Sequence, residues 1–449
     1  MFRKKVLIAN RGEIARRVIR TCKQQGYGTV AIYSAADQDM PYVEEADEAV
    51  HIGPAPVAQS YLQMDKIIDV AKDLGVAMIH PGYGLLSENA EFARKCQEAG
   101  ITFIGPSPEV IRQMGDKLVA RQIMKQAGVP VVPGGETEAQ DVEQALAQAE
   151  AIGYPVMLKA SAGGGGIGLS VCHHPGELEK AYASAKGRAK AYFGQDHMFV
   201  EKYIEDPRHI EVQIVADQHG HICHLFERDC SIQRRHQKVI EESPSPFVDE
   251  QTRAKICQTA VKAAQAVGYT GVGTVEFIMG HDKAFYFIEM NTRLQVEHPV
   301  TEAITGYDLV ALQLAIAENQ PLPFAQEEVK REGHAIELRI YAEDPVTFMP
   351  SPGQITLYER QEGDGVRFDD AIRTGSRITP YYDPLIAKLI VSDSTRTAAI
   401  EKGIRVLNEM KLEGIKHNIP FLLDVLNHEQ FRAGNYTTQF VKHLREVAR

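Results

Sequence analysis

The segment Phe285–Glu297 (FYFIEMNTRLQVE) joins an apolar strand pattern to a row of polar side chains that could bind ions. If the extended conformation continues to the end of the segment, alternation places five polar residues on one side: Glu289, Asn291, Arg293, Gln295 and Glu297. Burying such a row without ions or ligands is costly. The pattern therefore predicts a ligand site, although a salt-bridged sheet surface remains an open alternative.

Glu276, in the preceding predicted strand, adds a third oxygen donor to this row. Together with Glu289 and Asn291 it would form a site made only of oxygen ligands. Hard oxygen donors without Cys or His favour magnesium shared with nucleotide phosphates over zinc. These three residues are the predicted metal ligands.

A glycine run at 162–168 (AGGGGIG) follows Lys159 and lies between two predicted strands. Glycines allow a hairpin backbone to lie against phosphate oxygens, because no Cβ stands between the N–H groups and the anion. The run has no G-K-[ST] opening a helix, so it is not a P-loop. It could be a flexible turn, but the adjacent lysine favours phosphate binding.

Two further segments carry groups suited to binding anions. His209, Glu211 and Gln213 alternate with apolar residues and would share one strand face. The stretch 227–238 (ERDCSIQRRHQK) is dense in charges of both signs. It could be a solvated loop, but beside a phosphate and an anion it would line a site.

Three other features resemble functional sites but are not predicted to be functional. The histidines at 219, 221 and 224 surround Gly220 and are interpreted as exposed residues of a hairpin turn, because their donors would splay apart. The tripeptide Met410-Lys411-Leu412 lacks the second methionine of a biotinylation site. Cys230 has no neighbouring nucleophile and base pair, so thiol catalysis is not predicted.

Strand and helix patterns divide the chain into three regions. Residues 4–104 alternate strands (4–9, 29–34, 76–79, 102–104) with helices (13–25, 64–74, 89–99), which predicts an open, doubly wound α/β layer. The middle of the chain predicts a helix at 142–151 and strands at 156–160, 169–172, 209–216, 273–279 and 285–291. The last part predicts a strand at 336–341 and helices at 397–409 and 419–427. The expected domains are 1–113, 114–330 with a smaller lobe at about 130–204, and 331–449.

The composition narrows the function classes. With 449 residues, 44% hydrophobic and 24% charged, the chain matches an ordinary globular protein rather than a disordered, collagenous or coiled-coil one. A net charge of -11 argues against nucleic acid as a main partner. The six cysteines form no C-x-x-C pair, and no signal segment or membrane-length apolar run is found. We therefore expect reduced thiols, no membrane partner, and a cytoplasmic protein or an organellar one that has lost a targeting segment.

With these residues in view, the sequence resembles biotin carboxylase, the ATP-grasp subunit of biotin-dependent carboxylases, from Lys5 to about residue 445. The motifs are IANRGEIA at 8–15, HPGYGLLSEN at 80–89, MGDK at 114–117, KASAGGGG at 159–166, EKY at 201–203, RHIEVQ at 208–213, ERDCSIQRRHQK at 227–238, EMNTRLQVEHPVTE at 289–302 and PYYDPLIAKL at 380–389. The resemblance implies an amino-terminal α/β domain, an ATP-grasp domain with a mobile glycine-rich lid, and a carboxy-terminal α+β domain.

The resemblance also implies roles for individual residues. ATP would contact Lys117, Lys159, Gly165, Gly166, Glu201, Lys202, Ile204, His209, Gln233, His236, Glu276 and Glu289. Two magnesium or manganese ions would be bound by Glu276, Glu289 and Asn291. Bicarbonate would be bound by Lys238, Arg293, Gln295, Val296 and Glu297, with Arg339 beside both bicarbonate and biotin. Of these, Lys238, Arg293, Glu297 and Arg339 would be catalytic.

The implied reaction carboxylates the biotin of a carrier protein with bicarbonate and ATP, through carboxyphosphate. Glu297 would act as general base toward bicarbonate, and Arg339 would stabilise the biotin enolate. Implied partners are the biotin carboxyl carrier protein, carboxyltransferase subunits and a second copy of the chain, as in the acetyl-CoA carboxylase that feeds malonyl-CoA to fatty acid synthesis. One departure is that many relatives have Arg or Lys at Ile167, in a run that begins with Gly rather than Ala162.

Three alternatives remain open from the sequence. The chain could belong to another acyl-CoA carboxylase. It could be a different ATP-grasp ligase, such as half of a carbamoyl phosphate synthetase. It could also be a nucleotide-binding regulatory protein that has lost turnover.

Overall fold

The computed structural model of the chain describes residues 4–135, 137–160, 170–193, 198–235 and 237–447. Five parallel strands form the amino-terminal sheet: β1 (Lys5–Ile8), β2 (Gly28–Ser34), β3 (Glu48–Gly53), β4 (Met78–His80) and β5 (Thr102–Phe103). Their order is β3-β2-β1-β4-β5, which confirms the predicted doubly wound layer. The helices of this domain are α1 (Gly12–Gln24), α2 (Pro41–Glu45), α3 (Met64–Asp73), α4 (Ala90–Glu98) and α5 (Pro108–Gly115), with a 3₁₀ turn at Val57–Gln59.

Two loops at the carboxyl ends of β1 and β4 are held together by Asn10. Its Nδ2 donates hydrogen bonds to the carbonyls of Pro81 and Tyr83, at 2.7 and 2.8 Å. Gly82 lies between them with φ +63, and a Cβ there would come within 2.7 Å of Asn10 Nδ2. Only glycine fits both constraints, and the contact fixes the loop that carries Tyr83.

A small antiparallel sheet, in the order β7-β6-β8, forms the central lobe. Its strands are β6 (Val156–Ala160), β7 (Ser170–Cys172) and β8 (Met198–Lys202), and the helices of this part are α6 (Lys117–Gln126), α7 (Val142–Ile152) and α8 (Pro175–Phe193). The predicted strand at 156–160 and helix beginning at 142 are confirmed. The glycine run between β6 and β7 lies outside the described residues.

An eight-stranded antiparallel sheet forms the largest layer. Its strands are β9 (Arg208–Ala216), β10 (Ile222–Arg234), β11 (Gln237–Ser243), β12 (Gly271–Met279), β13 (Phe285–Asn291), β14 (His334–Tyr341), β17 (Val366–Asp370) and β19 (Leu385–Asp393). Their order is β13-β12-β9-β10-β11-β14-β19-β17. The sheet continues across residue 330, because β11 pairs with β14. The predicted boundary at 330/331 thus lies between strands of one sheet, and the domain limits themselves stay a prediction.

Shorter strands and the remaining helices complete the fold. Two strand pairs are β15 (Gly353–Gln354) with β18 (Arg377–Ile378), and β16 (Leu357–Glu359) with β20 (Lys411–Glu413). The helices are α9 (Glu250–Ala266), α10 (His298–Thr305), α11 (Leu309–Ala317), α12 (Arg396–Glu409), α13 (Ile419–Asn427), α14 (Glu429–Arg432) and α15 (Phe440–Val447), with a 3₁₀ turn at Gln326–Glu328. Within the described ranges, no single helix is long and apolar enough to cross a membrane, and α10 and α11 reach that length only across a 96° bend.

The two faces of the large sheet differ where β11, β14 and β19 lie side by side. One face is apolar and packs its Ile, Leu and Val side chains against α12 and α13. The other face is covered by α10 and α1 and carries charged residues on β14, β19 and β17. A row of charges under a helix cannot be solvated from that side, so its members must pair with one another or with ligands. All six cysteines are buried and unpaired, as predicted.

Candidate active site

A cavity of about 1020 Å³ opens where the three domains meet. Among the described residues, fourteen of the predicted site residues line it: Lys117, Lys159, Glu201, His209, Gln233, Lys238, Glu276, Glu289, Asn291, Arg293, Gln295, Val296, Glu297 and Arg339. Asn10, Arg11 and Tyr83 of the first domain and Tyr341, Tyr381 and Asp383 of the last complete its walls. The structure therefore brings together residues that are up to about 370 positions apart in the sequence.

Lys238, on β11, is the centre of the charged half of the cavity. Its Nζ donates to three carboxylates: to Glu211 at 2.5 Å, to Glu297 at 2.6 Å and to Glu276 at 2.9 Å. Burial would lower the pKa of Lys238, but the three carboxylates raise it well above its ordinary value. The side chain is therefore a fixed cation around neutral pH, and the carboxylates stay ionised around it.

Glu297 is an ionised carboxylate that lines the cavity, where it can also accept a proton from a bound substrate. It occupies the N-cap position of α10, but its side chain makes no capping hydrogen bond. Instead it accepts from Lys238 and, at 3.0 Å, from Arg339 Nη2. Burial would raise its pKa, but Lys238 and Arg339 lower it. A carboxylate held in this way can accept a proton from a bound acid at neutral pH.

Arg293 is oriented by a residue that sequence reasoning missed. Its Nε donates to Glu88 Oε2 at 2.8 Å, and its Nη2 donates to Asn291 Oδ1 at 2.8 Å. Glu88 lies in the HPGYGLLSEN motif, whose presence in the resemblance was the only signal for it. The contact links the first domain to the guanidinium that would bind an anion.

The peptide segment between Arg293 and Glu297 is fixed by two buried side chains. Gln295 Nε2 donates to Glu276 Oε1 at 2.7 Å, and Lys388 Nζ donates to the Val296 carbonyl at 2.8 Å. Because that carbonyl is engaged by Lys388, the orientation of the neighbouring peptide is set from the sheet.

The predicted extended conformation through Glu297 is wrong beyond Asn291, where β13 ends. Residues 292–297 form bends and a turn that leads into α10. Side chains from this irregular stretch nevertheless line the same cavity as those of the strand. Because of this turn, Arg293, Gln295 and Glu297 reach the cavity from different directions rather than from one face of a strand.

The three predicted metal ligands are neighbours. Glu276 on β12 and Glu289 on β13 are direct cross-strand partners, and Asn291 Nδ2 donates to Glu276 Oε1 at 2.8 Å. Burial and the carboxylate of Glu276 raise the pKa of Glu289. A buried carboxylate, a half-buried one and an amide oxygen are suitable ligands for Mg²⁺, which would offset their charges.

His209 is held beside the same carboxylates at the nucleotide end. Its Nε2 lies 2.8 Å from Glu276 Oε2 and 3.7 Å from Glu211 Oε2. Burial would lower the pKa of His209, but these carboxylates raise it to about 9. The imidazole is therefore cationic at neutral pH, which suits a group near phosphates.

Two lysines reach the nucleotide end from different elements. Asp116 caps α6 by accepting hydrogen bonds from the backbone of Leu118 and Val119, and Lys117 thereby begins the helix at the cavity wall. Lys159, on β6, donates to the carboxylate of Glu201 on β8. Glu201 also accepts from Arg121 at 3.1 Å.

The other predicted nucleotide contacts are placed differently. Gln233 lines the cavity and donates to the Cys230 carbonyl at 2.9 Å. Lys202 and Ile204 are not among the cavity-lining residues in the described part of the chain, and Lys202 Nζ donates to the carbonyls of Gly153 and Tyr154. Their adenine contact stays a prediction. Gly165, Gly166, Ile167 and His236 lie outside the described residues.

Most of the charged stretch 227–238 belongs to strands rather than to a solvated loop, since β10 continues to Arg234 and β11 begins at Gln237. Residues 227–234 are mostly buried. The most connected member of the stretch, Arg228, is fully buried. The guanidinium donates to five side chains at 2.6–3.1 Å: Glu211, Gln213, Thr274, Gln295 and Thr301. Sequence reasoning assigned Arg228 no role, because a charged run gives no sign of which member is buried.

Comparisons with protein families agree with this geometry across the chain. Residues 2–111 match the model "Biotin carboxylase, N-terminal domain", 116–325 match "Carbamoyl-phosphate synthase L chain, ATP binding domain", and 337–443 match "Biotin carboxylase C-terminal domain". A biotin carboxylase of Halalkalibacterium halodurans is 61% identical over 443 residues, with 98% of each chain covered. Biotin carboxylase 2 of Bacillus subtilis is 58% identical, covering 98% of this chain and 99% of the relative.

Solved structures show the same fold. A Campylobacter jejuni biotin carboxylase in complex with a β-γ-ATP ligand superimposes with TM-score 0.94 at 47% identity, covering 98% of both chains. The biotin carboxylase domain dimer of Hydrogenobacter thermophilus 2-oxoglutarate carboxylase, solved with MgADP, ADP and bicarbonate, has TM-score 0.93 at 47% identity. It covers 100% of this chain and 99% of the other.

Proposed function

The chain belongs to the biotin carboxylase family of ATP-grasp ligases, which use ATP, Mg²⁺, bicarbonate and biotin, and we propose that it catalyses the first half-reaction of acetyl-CoA carboxylase. The observation that carries its chemistry is the convergence of Lys238 and Arg339 on the buried carboxylate of Glu297. That arrangement provides an ionised base beside cations that can bind a one-carbon anion.

We assign the bicarbonate site to the charged half of the cavity. Lys238, Arg293 and Gln295 would hold the anion with the backbone of Val296. Glu297 would accept the bicarbonate proton as a bicarbonate oxygen attacks the γ-phosphorus. The bond from the γ-phosphorus to the bridging oxygen would break, and ADP would leave with that oxygen, which gives carboxyphosphate. Because Lys238, Gln295 and Glu297 are fixed by buried partners before the substrate arrives, the cost of orienting them at the moment of reaction is small.

We assign the nucleotide to the other half. Lys117, Lys159 and the cationic His209 would neutralise its phosphates, with the backbone of the 162–168 run above them, and Glu201 would contact the adenine edge. Glu276, Glu289 and Asn291 would hold Mg²⁺, which when bound supplies further charge neutralisation on the phosphates. This division leaves bicarbonate next to the terminal phosphate.

The second step places Arg339 beside biotin. Carboxyphosphate would break at its C–O bond into carbon dioxide and phosphate, and the phosphate would take the N1 proton of biotin. Arg339 would stabilise the resulting enolate, whose nitrogen then attacks carbon dioxide. The guanidinium is suited to this because it is buried and lines the cavity on the side of the last domain.

The test is ADP release by the purified chain with free biotin. We expect release that requires bicarbonate and is stimulated by biotin. A carbamoyl phosphate synthetase-like ligase would instead respond to an ammonia donor and not to biotin. A regulatory protein without turnover would bind ATP and release no phosphate.

The acetyl-CoA assignment is a proposal based on the named relatives. Those named biotin carboxylase are 61% and 58% identical to this chain, and the mouse methylcrotonoyl-CoA carboxylase alpha subunit is 51% identical. We propose separate carrier and carboxyltransferase chains as partners, and a homodimer like the Hydrogenobacter domain. Labelled bicarbonate, supplied with those partners, should enter acetyl-CoA to give malonyl-CoA. Preferential labelling of another acyl-CoA would reassign the acceptor. A cytoplasmic location is proposed from the six buried, unpaired thiols.

A further inference from the structure

Two glutamates behind Arg339 are buried without the partners that ionised carboxylates need. Glu241 on β11 and Glu337 on β14 face each other directly across the two strands, on the side covered by α10. Both residues have no solvent exposure. Side chains directly opposite on antiparallel strands are close neighbours, so these two carboxyl groups share one buried space.

Neither carboxyl group is satisfied by hydrogen bonds. Among the described residues, none of their four oxygens has a hydrogen-bond partner. Arg339 Nη2 makes an ion-pair contact with Glu241 Oε1, but without the geometry of a hydrogen bond. Two unsolvated carboxylates cannot both be ionised side by side at an acceptable cost. At least one proton therefore belongs to the pair.

The surrounding charges agree with a retained proton. Burial raises the pKa of Glu337 well above its ordinary value, although Lys388 opposes it and Glu241 adds to it. Burial also raises the pKa of Glu241 to about 7, against the influence of Arg339. The titratable and charged groups near the pair are Lys238 on β11, Arg339 and Tyr341 on β14, Lys388 on β19, Cys230 on β10 and Glu297 at the start of α10.

None of these neighbours changes charge between pH 6.5 and 8. Lys238 and Lys388 have raised pKa values, and that of Glu297 is lowered. His298, on α10, stays neutral because burial and Lys388 lower its pKa well below the ordinary value. Glu13 on α1, which contacts Lys388 and lines the cavity, is a further titrating group, because burial raises its pKa to about 7 although Lys388 lowers it. Glu241 is the titrating group that contacts Arg339.

We propose that Glu241 and Glu337 are a proton-sharing pair that positions Arg339 and sets how much of its positive charge reaches the anion bound in the cavity. Arg339 Nη2 contacts both Glu241 and Glu297, so the two carboxylates compete for one guanidinium group. When the pair holds two protons, Arg339 is directed to Glu297 and the bound anion. When the first proton leaves, an ionised Glu241 withdraws part of that charge. The expected effect on the KM for bicarbonate rests on the proposed function. The retained proton on the glutamate pair does not.

The kinetic test compares Glu241→Gln and Glu337→Gln with the wild type between pH 6.5 and 8, at fixed concentrations of bicarbonate ion. In the wild type the KM for bicarbonate should rise by about tenfold, the order expected when one charge appears within about 10 Å at a protein-like dielectric. Glu241→Gln should abolish this rise, because its amide stays neutral. Glu337→Gln should leave the rise at nearly the same pH, because its amide, like the protonated carboxyl that it replaces, carries no charge while Glu241 titrates.

A different result in the same experiment would contradict the proposal. A merely structural pair would lower kcat or stability uniformly and leave the shape of the pH profile unchanged in both variants. That result would overturn the proposal. Glu332→Gln, at an exposed position, is the control and should leave the profile unchanged.

A spectroscopic test needs no turnover and separates this inference from the proposed function. Infrared difference spectra of wild type minus Glu337→Gln at pH 8 should contain the carbonyl band of one protonated carboxylic acid. Absence of that band would refute the shared proton, whether or not the enzyme is active. If the band is present and bicarbonate-dependent ADP release is absent, the proposed function fails and the proton pair stands. If Glu241→Gln does not fold, this measurement still decides the matter.

Discussion

Two adjacent glutamates on β11, Glu241 and Glu242, lie on opposite faces of the large sheet, and folding shifts their pKa values in opposite directions. Glu242 faces the carboxy-terminal helices and contacts His334 Nε2 at 2.6 Å and Arg396 Nε at 2.6 Å, with the Tyr436 hydroxyl as a further donor. Although burial opposes it, Arg396 and His334 lower the pKa of Glu242 to about 2. Glu241 lies on the other face, under α10 and behind Arg339; it accepts no hydrogen bond from the described residues, and burial raises its pKa to about 7.

The contrast separates a structural charge from a functional one. A carboxylate supplied with several donors is ionised, fixed and stabilising once folded. The cavity face is built otherwise, because three carboxylates share Lys238 and two share Arg339. Competition for cations leaves room for an incoming anion or metal to rearrange the pairing. Substitutions on the cavity face should therefore lower catalytic activity. Substitutions on the face that packs against α12 and α13, here called the helix face, should lower the free energy of unfolding.

The largest expected effect is on the cavity face. Glu297→Gln removes the proposed base but keeps its shape, so bicarbonate-dependent ADP release should fall by about 10²–10⁴-fold. ATP affinity, measured by calorimetry, should stay near normal, and the exposed variant Glu332→Gln should retain full activity. Retention of more than about a tenth of the rate would remove Glu297 from the role of base.

On the helix face, Glu242→Gln should cost stability instead. The variant leaves Arg396 with a neutral partner in a buried site, and the free energy of unfolding at pH 7 should drop by about 3 kcal/mol. Denaturant unfolding measures this, while kcat per folded molecule should change little. A large loss of kcat with unchanged stability would reverse the assignment of the two faces.

The pH dependence of that stability loss sharpens the comparison. Because the pKa of Glu242 falls from an ordinary 4.5 to about 2 on folding, its contribution is present above pH 4.5 and disappears as the pH drops toward 2. The stability gap between wild type and Glu242→Gln should therefore narrow by about 2 kcal/mol between pH 7 and pH 3. A gap independent of pH would mean that Glu242 acts through packing alone.

The smallest effect is expected in the central lobe, outside this sheet. Lys159 is paired with Glu201, and its side chain is 37% exposed. Lys159→Met should raise the KM for ATP by about tenfold, as expected for one lost phosphate contact of about 1.4 kcal/mol. Stability should change by less than about 1 kcal/mol, since exposed ion pairs contribute little. A large stability loss with an unchanged KM would place Lys159 among the structural charges.

Much of the fold and of the site could be predicted from the sequence. Alternation located β12 and β13, and the residue types along them indicated Glu276, Glu289 and Asn291 as neighbours, which they are. The same alternation failed beyond Asn291, because a turn that depends on tertiary contacts follows the strand.

Other residues carried no local signal. Glu337 lies between two apolar residues, as a solvent-facing strand residue would, and Glu241 is followed by a second glutamate. The sequence does not show that α10 covers them. Glu88 and Lys388 act on Arg293 and Val296 from more than 90 positions away. Such long-range contacts depend on the topology, which local patterns do not specify.

The most direct test of the account follows the oxygen atoms. With ¹⁸O-labelled bicarbonate, ATP and biotin, attack of a bicarbonate oxygen on the γ-phosphorus and later cleavage at carbon must transfer one labelled oxygen to each phosphate released. We expect one ¹⁸O atom per phosphate from the wild-type chain. Phosphate that takes its new oxygen from water alone would contradict bicarbonate activation in this cavity.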